Sequence, residues 1–300
     1  MSFLTDIEKW AQGFDKFVEQ KTREITVALK VTERELLRVI LRDFLPVLEP
    51  NGGRLTATAV NRARLRILDE ALRRFAAGDL RDAVKVLAEQ LLDVAGRNAS
   101  YYLLAGFDRA KVEALAKDTG LLLDVLGLEA NGQFTAGGYL DRLASGQEVR
   151  EKVKNLVLRS LAQGITPKDL ARDFQKTVAG AQGIDGALVS YFKQYAFDSY
   201  NQVRELQNLH MANELELNFF VYAGGVIDST RAFCLKRNRK VFHREETEDW
   251  KDDPDLINPK TKDSYRPLLD RGRYNCRHMI MWISKERALE LRPELREKYA

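Results

Sequence analysis

Cysteine is scarce in this chain. Its 300 residues hold two, Cys234 and Cys276, beside three histidines. With so few thiols and no basic segment leading into an apolar core at the start ("MSFLTDIEKWAQGFDKF"), the expectation is a reducing compartment and no secretion signal. Long apolar runs are lacking as well. None reaches the roughly 18 to 20 residues that cross a bilayer, so a membrane role is not expected. "YAGGVID" lacks the glycine spacing and the Lys-Ser/Thr pair of a nucleotide-binding loop. Internal repeats and low-complexity segments are missing too. What is present, 45% hydrophobic and 31% charged residues, suits a folded chain with a sizeable core rather than a disordered one.

The length predicts two structural units. Apolar residues recur at helical spacing from Phe3 to Phe44, with an end near Pro46 and a turn at "PNGG". A further helix carries the stripe Leu65, Leu68, Leu72 and Phe75; Gly78 is expected to end it and Asp79 to cap the next. Helical patterning continues to about residue 127, a Gly-rich loop with a short helix fills 128–147, and "TPKDLARDF" has the grammar of a helix start. A long helix is expected over about 186–212. "ELNFFVYAGG" and "CRHMIMWIS" read as strands, and "SKERALELRPELREKY" as a terminal helix. The expected fold is therefore mainly α: an elongated helical N-terminal body over 1–214, divisible into 1–127 and 148–214 around the Gly-rich loop, with a small C-terminal α+β module over 215–300.

The net charge of +4 permits nucleic-acid contact without demanding it. Its distribution is more telling. Residues 228–244 carry six Lys/Arg against one acid, 245–255 seven acids against Lys251, and 256–300 eleven bases against six acids. Such alternation predicts a region that pairs its own charges, with a basic patch left over. Arg62, Arg66 and Arg73 on one helix, and Lys236, Arg237, Arg239 and Lys240 in the module, are the candidates for contact with DNA or an acidic partner; a solvated surface is the plainer reading of the arginine-rich helix.

Cys234, His243, Cys276 and His278 have metal-ligand identity, and two thiolates with two imidazoles suit a tetrahedral structural zinc. Their spacings match no familiar knuckle, so a Cys234–Cys276 proximity or disulfide, and ordinary packing, stand beside zinc. A nuclease would use the same region differently, with His243, His278 and acids such as Asp228 or Asp263 binding a divalent ion. Cys276 and His278 on one short segment are a poor thiol–base pair, and no catalytic residue is assigned.

"DSTRAFCLKRNRKVFH", followed some thirty residues later by "RGRYNCRH", resembles the phage head morphogenesis family, the Mu F-like minor head proteins. The resemblance rests on Asp228, Thr230, Arg231 and Cys234 in the first block and Asn275, Cys276 and Arg277 in the second. "GITPKDLARDF" looks like the family's upstream segment, and the likeness covers roughly residues 160–284. It implies a virion component without enzymatic activity, made in the host cytoplasm and placed in the capsid interior or at the portal vertex. The implied partners are the portal protein, other capsid proteins and packaged double-stranded DNA bound without sequence specificity.

Overall fold

The computed structural model describes residues 3–256, 264–273 and 276–299, without the side chains of 194–198. Asn275 and Asp263 lie outside the described residues. The chain is mainly helical up to about residue 214, and a small region with a three-stranded sheet follows. Helix α1 spans Phe3–Val39 and continues through a π turn, Ile40–Phe44, and a 3-10 turn containing Pro46. The "PNGG" turn joins the short strands β1 (Pro50–Asn51) and β2 (Arg54–Leu55). Then come α2 (Ala59–Phe75), α3 (Arg81–Gly96), α4 (Asn98–Leu104), α5 (Arg109–Lys117) and α6 (Gly120–Leu126). They are followed by α7 (Tyr139–Ser145), α8 (Gln147–Gln163), α9 (Pro167–Phe174) and the long α10 (Ala187–Glu214).

Thr58 and Thr166 cap α2 and α9 by accepting the N–H groups of Asn61 and Asp169. Gly78 does not end a helix. Residues Ala76–Leu80 form a π turn flanked by right-handed helical backbone at Phe75 and Arg81, so the chain passes from α2 into α3 without a cap at Asp79. One wide turn absorbs the glycine without breaking the run of helical residues.

The chain forms two compact units, each assembled from separated segments. One comprises Met1–Gln20, Leu91–Leu122 and Phe197–Ala300; the other comprises Lys21–Gln90 and Leu123–Ala196. In the second, Phe44 and Phe174 meet edge to face, and Asp69 on α2 accepts Lys154 from α8 at 3.0 Å. The buried carboxylate of Glu33 accepts the Val189 N–H in the first turn of α10.

The first unit contains the sheet, built from β3 (Phe219–Gly224), β4 (Lys240–His243) and β5 (His278–Ile283), all antiparallel in the order β4-β3-β5. Between β3 and β4 lies α11 (Ala232–Leu235). A 3-10 helix, Arg244–Asp252, and α12 (Pro267–Asp270) precede β5, and α13 (Lys285–Leu291) and α14 (Arg296–Tyr299) close the chain. Every residue of β3 and of β5 is buried. Trp250 covers one face of the sheet, its ring 5.4 to 6.1 Å from those of Phe220, Tyr222, Phe233 and Phe242.

The outer edge of β5 is closed by side chains. Tyr101 of α4 donates to the Trp282 carbonyl at 2.7 Å, Asn208 of α10 to the Ile280 carbonyl at 2.6 Å, and Arg271 to the His278 carbonyl at 2.7 Å. The Ile280 N–H goes to Glu205. Glu205 is fully buried, hydrogen-bonds Asn208 and lies against the guanidinium groups of Arg204 and Arg271. The inner face of this part of α10 is thus polar, with Asn201, Arg204, Glu205 and Asn208 buried at helical spacing.

Replacing Glu205 by alanine leaves two buried guanidinium groups without their counter-charge. The expected loss is about 3–5 kcal/mol of unfolding free energy in chemical denaturation, and a loss under about 1 kcal/mol would contradict this role.

Candidate metal centre

The face of the sheet that Trp250 covers also carries, at the Gly224 end of β3, the side chains that the sequence singled out. Register places His278 of β5 directly opposite Gly224. The absence of a side chain there is required: a β-carbon on Gly224 would lie 2.6 Å from the His278 α-carbon and 2.9 Å from its ring. The imidazole therefore lies parallel to the Tyr222 ring, 5.2 Å between centroids. Cys234 comes from α11, and Cys276 from the turn before β5, where its N–H donates to the Arg273 carbonyl. The two sulfurs are 3.8 Å apart, and the Tyr222 hydroxyl contacts them at 3.4 and 3.5 Å.

Behind the sulfurs runs Gly272, where a β-carbon would lie 2.4 Å from Cys234 Sγ and 3.1 Å from Cys276 Sγ. On either side of it, Arg271 and Arg273 hold left-handed backbone, with φ of 51° and 65°. Arg231 donates to the Gly272 carbonyl at 2.8 Å, which ties α11 to this turn.

One ligand atom from each of Cys234, Cys276 and His278 lies within 4.8 Å of the others, and all three residues are buried. The donor set fits zinc: Zn–S bonds near 2.3 Å in tetrahedral geometry separate two sulfurs by about 3.8 Å. His278 Nε2 has no hydrogen-bond partner although it is buried, and burying a polar atom unpartnered is costly. The electrostatics favour a thiolate. Hydrogen bonding from Cys234 holds the Cys276 thiol well below its usual range against the opposing effect of burial, helped by His278 and the Arg271 guanidinium. Its partner is pushed up by the same hydrogen bond and by burial. Burial also keeps the Tyr222 phenol protonated. A metal bound here would neutralise thiolate charge and fasten α11 to β5.

His243 is not brought to this group. It pairs with Phe219 at the other end of β3 and on the other face of the sheet, where its ring stacks on Tyr299 at 4.0 Å. There it caps the 3-10 helix, Nδ1 accepting the Glu245 N–H. The four expected ligands are therefore three. The residues of a nuclease reading are likewise apart, with His243 and His278 separated by the sheet and Asp228 exposed in a turn.

Two further residues of the resemblance, Thr230 and Arg277, make internal contacts. The Thr230 hydroxyl accepts the Ile227 N–H, and Arg277 bridges Asp15 and Glu19 of α1 at 2.7 Å each. Part of the basic run is neutralised from within. Arg237 is 8% exposed, lies over the Phe233 and Trp250 rings and pairs with Asp253, so it presents no free guanidinium to DNA. Lys236 pairs with Asp253 and Asp255, and Arg239 with Glu8. Lys240, Arg62, Arg66 and Arg73 are exposed, Arg73 beside Asp69.

Sequence reasoning missed Tyr222, Arg271 and Gly272, which complete the surroundings of the sulfurs, and Glu205, which supports β5. A hydroxyl within the apolar run "FFVYAG" was the one local signal for Tyr222. No family model, no curated protein and no solved structure matches this chain.

Two measurements check this geometry. The reduced chain is expected to take up about one zinc per molecule and to lose its affinity in Cys276→Ser and His278→Ala; a chelator then lowers the melting temperature of the wild type and leaves that of Cys276→Ser unchanged. Equal shifts in both would sink the site. Burial lowers the pKa of His243 from 6.5, so between that value and the lower folded one the unfolded chain binds more protons. The stability contributed is fully present above pH 6.5 and falls as the pH drops below it, a dependence that His243→Gln should flatten in denaturation curves recorded across pH.

Proposed function

We propose that this chain is a structural and interaction protein of a tailed-phage head, a minor component acting at or near the portal vertex in capsid assembly or DNA handling. One observation carries the reading most directly: four residues of the resemblance, Arg231, Cys234, Cys276 and Arg277, tie separate parts of the chain together. Cys234 and Cys276 meet in the interior, Arg231 ties α11 to the turn before β5, and Arg277 reaches the acids of α1. Residues spent on internal ties serve a module whose task is to keep its shape against partners. The exposed Arg62, Arg66, Arg73 and Lys240 remain for acidic partners or packaged DNA.

Quantitative mass spectrometry of purified particles made by the genome that encodes the chain tests this. A low, reproducible copy number relative to the major capsid protein is expected. Absence from the particles would overturn the proposal.

A further inference from the structure

We infer that Cys234 and Cys276 form a redox-responsive clasp, which closes to an intramolecular disulfide when the protein passes from reducing to oxidising surroundings. The change of surroundings rests on the virion reading, since a particle assembled in a cytoplasm is later released from it. The closure itself rests on geometry.

The two sulfurs are 3.8 Å apart and in direct contact, on side chains whose backbones are separately anchored. The N–H of Cys234 donates to Arg231 and that of Cys276 to Arg273. Gly272 leaves no space on its side for the sulfurs to move apart. These are the only two cysteines of the chain, so no competing partner exists within it. Forming the bond needs the sulfurs to approach by less than 2 Å, to the usual length of about 2.05 Å.

Both residues are buried, which favours a small oxidant such as hydrogen peroxide over a protein disulfide. One sulfur attacks the O–O bond of the peroxide, becoming a sulfenic acid and releasing water. The second attacks the sulfenic sulfur, and a second water leaves as the S–S bond forms. The sulfur pair loses two electrons, which reduce the peroxide oxygens to water. The covalent bond joins α11 to the turn before β5 when the thiols are oxidised, the role that a metal held by Cys234, Cys276 and His278 would fill when they are reduced. A metal bound there would lose its two sulfur ligands as the bond forms.

The test uses the full chain, reduced, stripped of metal with a chelator and treated with hydrogen peroxide equimolar to protein. Unfolding in denaturant, alkylation and intact-mass measurement follow. The expected product is a monomer lighter by two hydrogens and carrying no alkyl group, where the untreated chain carries two. Two alkyl groups after treatment, sulfinic acid, or disulfide-linked dimers would overturn the inference. Cys234→Ser and Cys276→Ser each lack one of the two thiols, so the loss of two hydrogens should vanish from both variants, and its persistence in either would overturn the inference. A second arm uses zinc-loaded protein, where metal released to a chromogenic chelator should keep pace with thiol loss. A chain that binds no zinc but forms the disulfide refutes the metal reading and leaves the redox clasp standing. Absence of the chain from particles refutes the virion reading alone.

Discussion

A buried carboxylate holds the C-terminal sheet in place. The outer edge of β5 would otherwise expose unpaired backbone groups, a template for unwanted pairing with another chain. Glu205, Asn208, Tyr101 and Arg271 occupy that edge instead, and each meets a backbone group of His278, Ile280 or Trp282. Arg204, stacked over Phe14, and Arg271 supply the counter-charge that makes burial of Glu205 tolerable. Arg271 is also among the groups whose charge lowers the pKa of the Cys276 thiol, after the hydrogen bonds from Cys234 and His278. The same arginine therefore lies between the sheet edge and the sulfur pair.

Charge is used the same way elsewhere in this unit. The acidic stretch after β4 forms a 3-10 helix whose Thr247 and Trp250 face inward, while Glu245, Glu246 and the two acids that follow the helix, Asp253 and Asp255, meet cations from other elements. Asp253 takes Lys236 and Arg237, Glu246 takes Arg292, and Glu245 lies near Lys298. Against the opposing effect of burial, hydrogen bonds from Lys236, the Asp255 N–H and Arg237 hold the Asp253 carboxyl down at about 2, and Arg237 sits against aromatic rings, unlike the exposed pairs, which contribute little. Much of the basic character that a linear reading assigns to residues 228–244 is thus internal, and the surface left for an acidic partner is smaller than the sequence charge suggests.

For function, the arrangement favours a module built to persist over one built to open. The thiols and the imidazole are buried, backbone glycines at 224 and 272 let them approach closely, and both sulfurs lie where a metal or a covalent bond would join two elements. Such a clasp suits a protein that must hold its shape through assembly, which is the behaviour proposed for a minor head component.

Much of the fold was determined by sequence alone. Helical periodicity, Thr166 ahead of Pro167, and the β-branched and aromatic runs at 219–224 and 278–283 set local structure through short-range rules, whereas the expected stop at Gly78 is absent, the expected strand begins at His278 rather than Cys276, and Pro293 interrupts the expected terminal helix. The charge blocks likewise announced their own neutralisation. The pairing of Cys234 with Cys276 and His278, and the exclusion of His243, were decided by tertiary structure, because strand register alone puts the two histidines at opposite ends and on opposite faces of β3. The polar inner face of α10 was hidden for a related reason. An amphipathic pattern is read by assuming that apolar residues turn inward, whereas Arg204, Glu205 and Asn208 are buried because they satisfy one another and a strand edge some seventy residues away in the chain. Only the folded chain brings those groups within bonding distance.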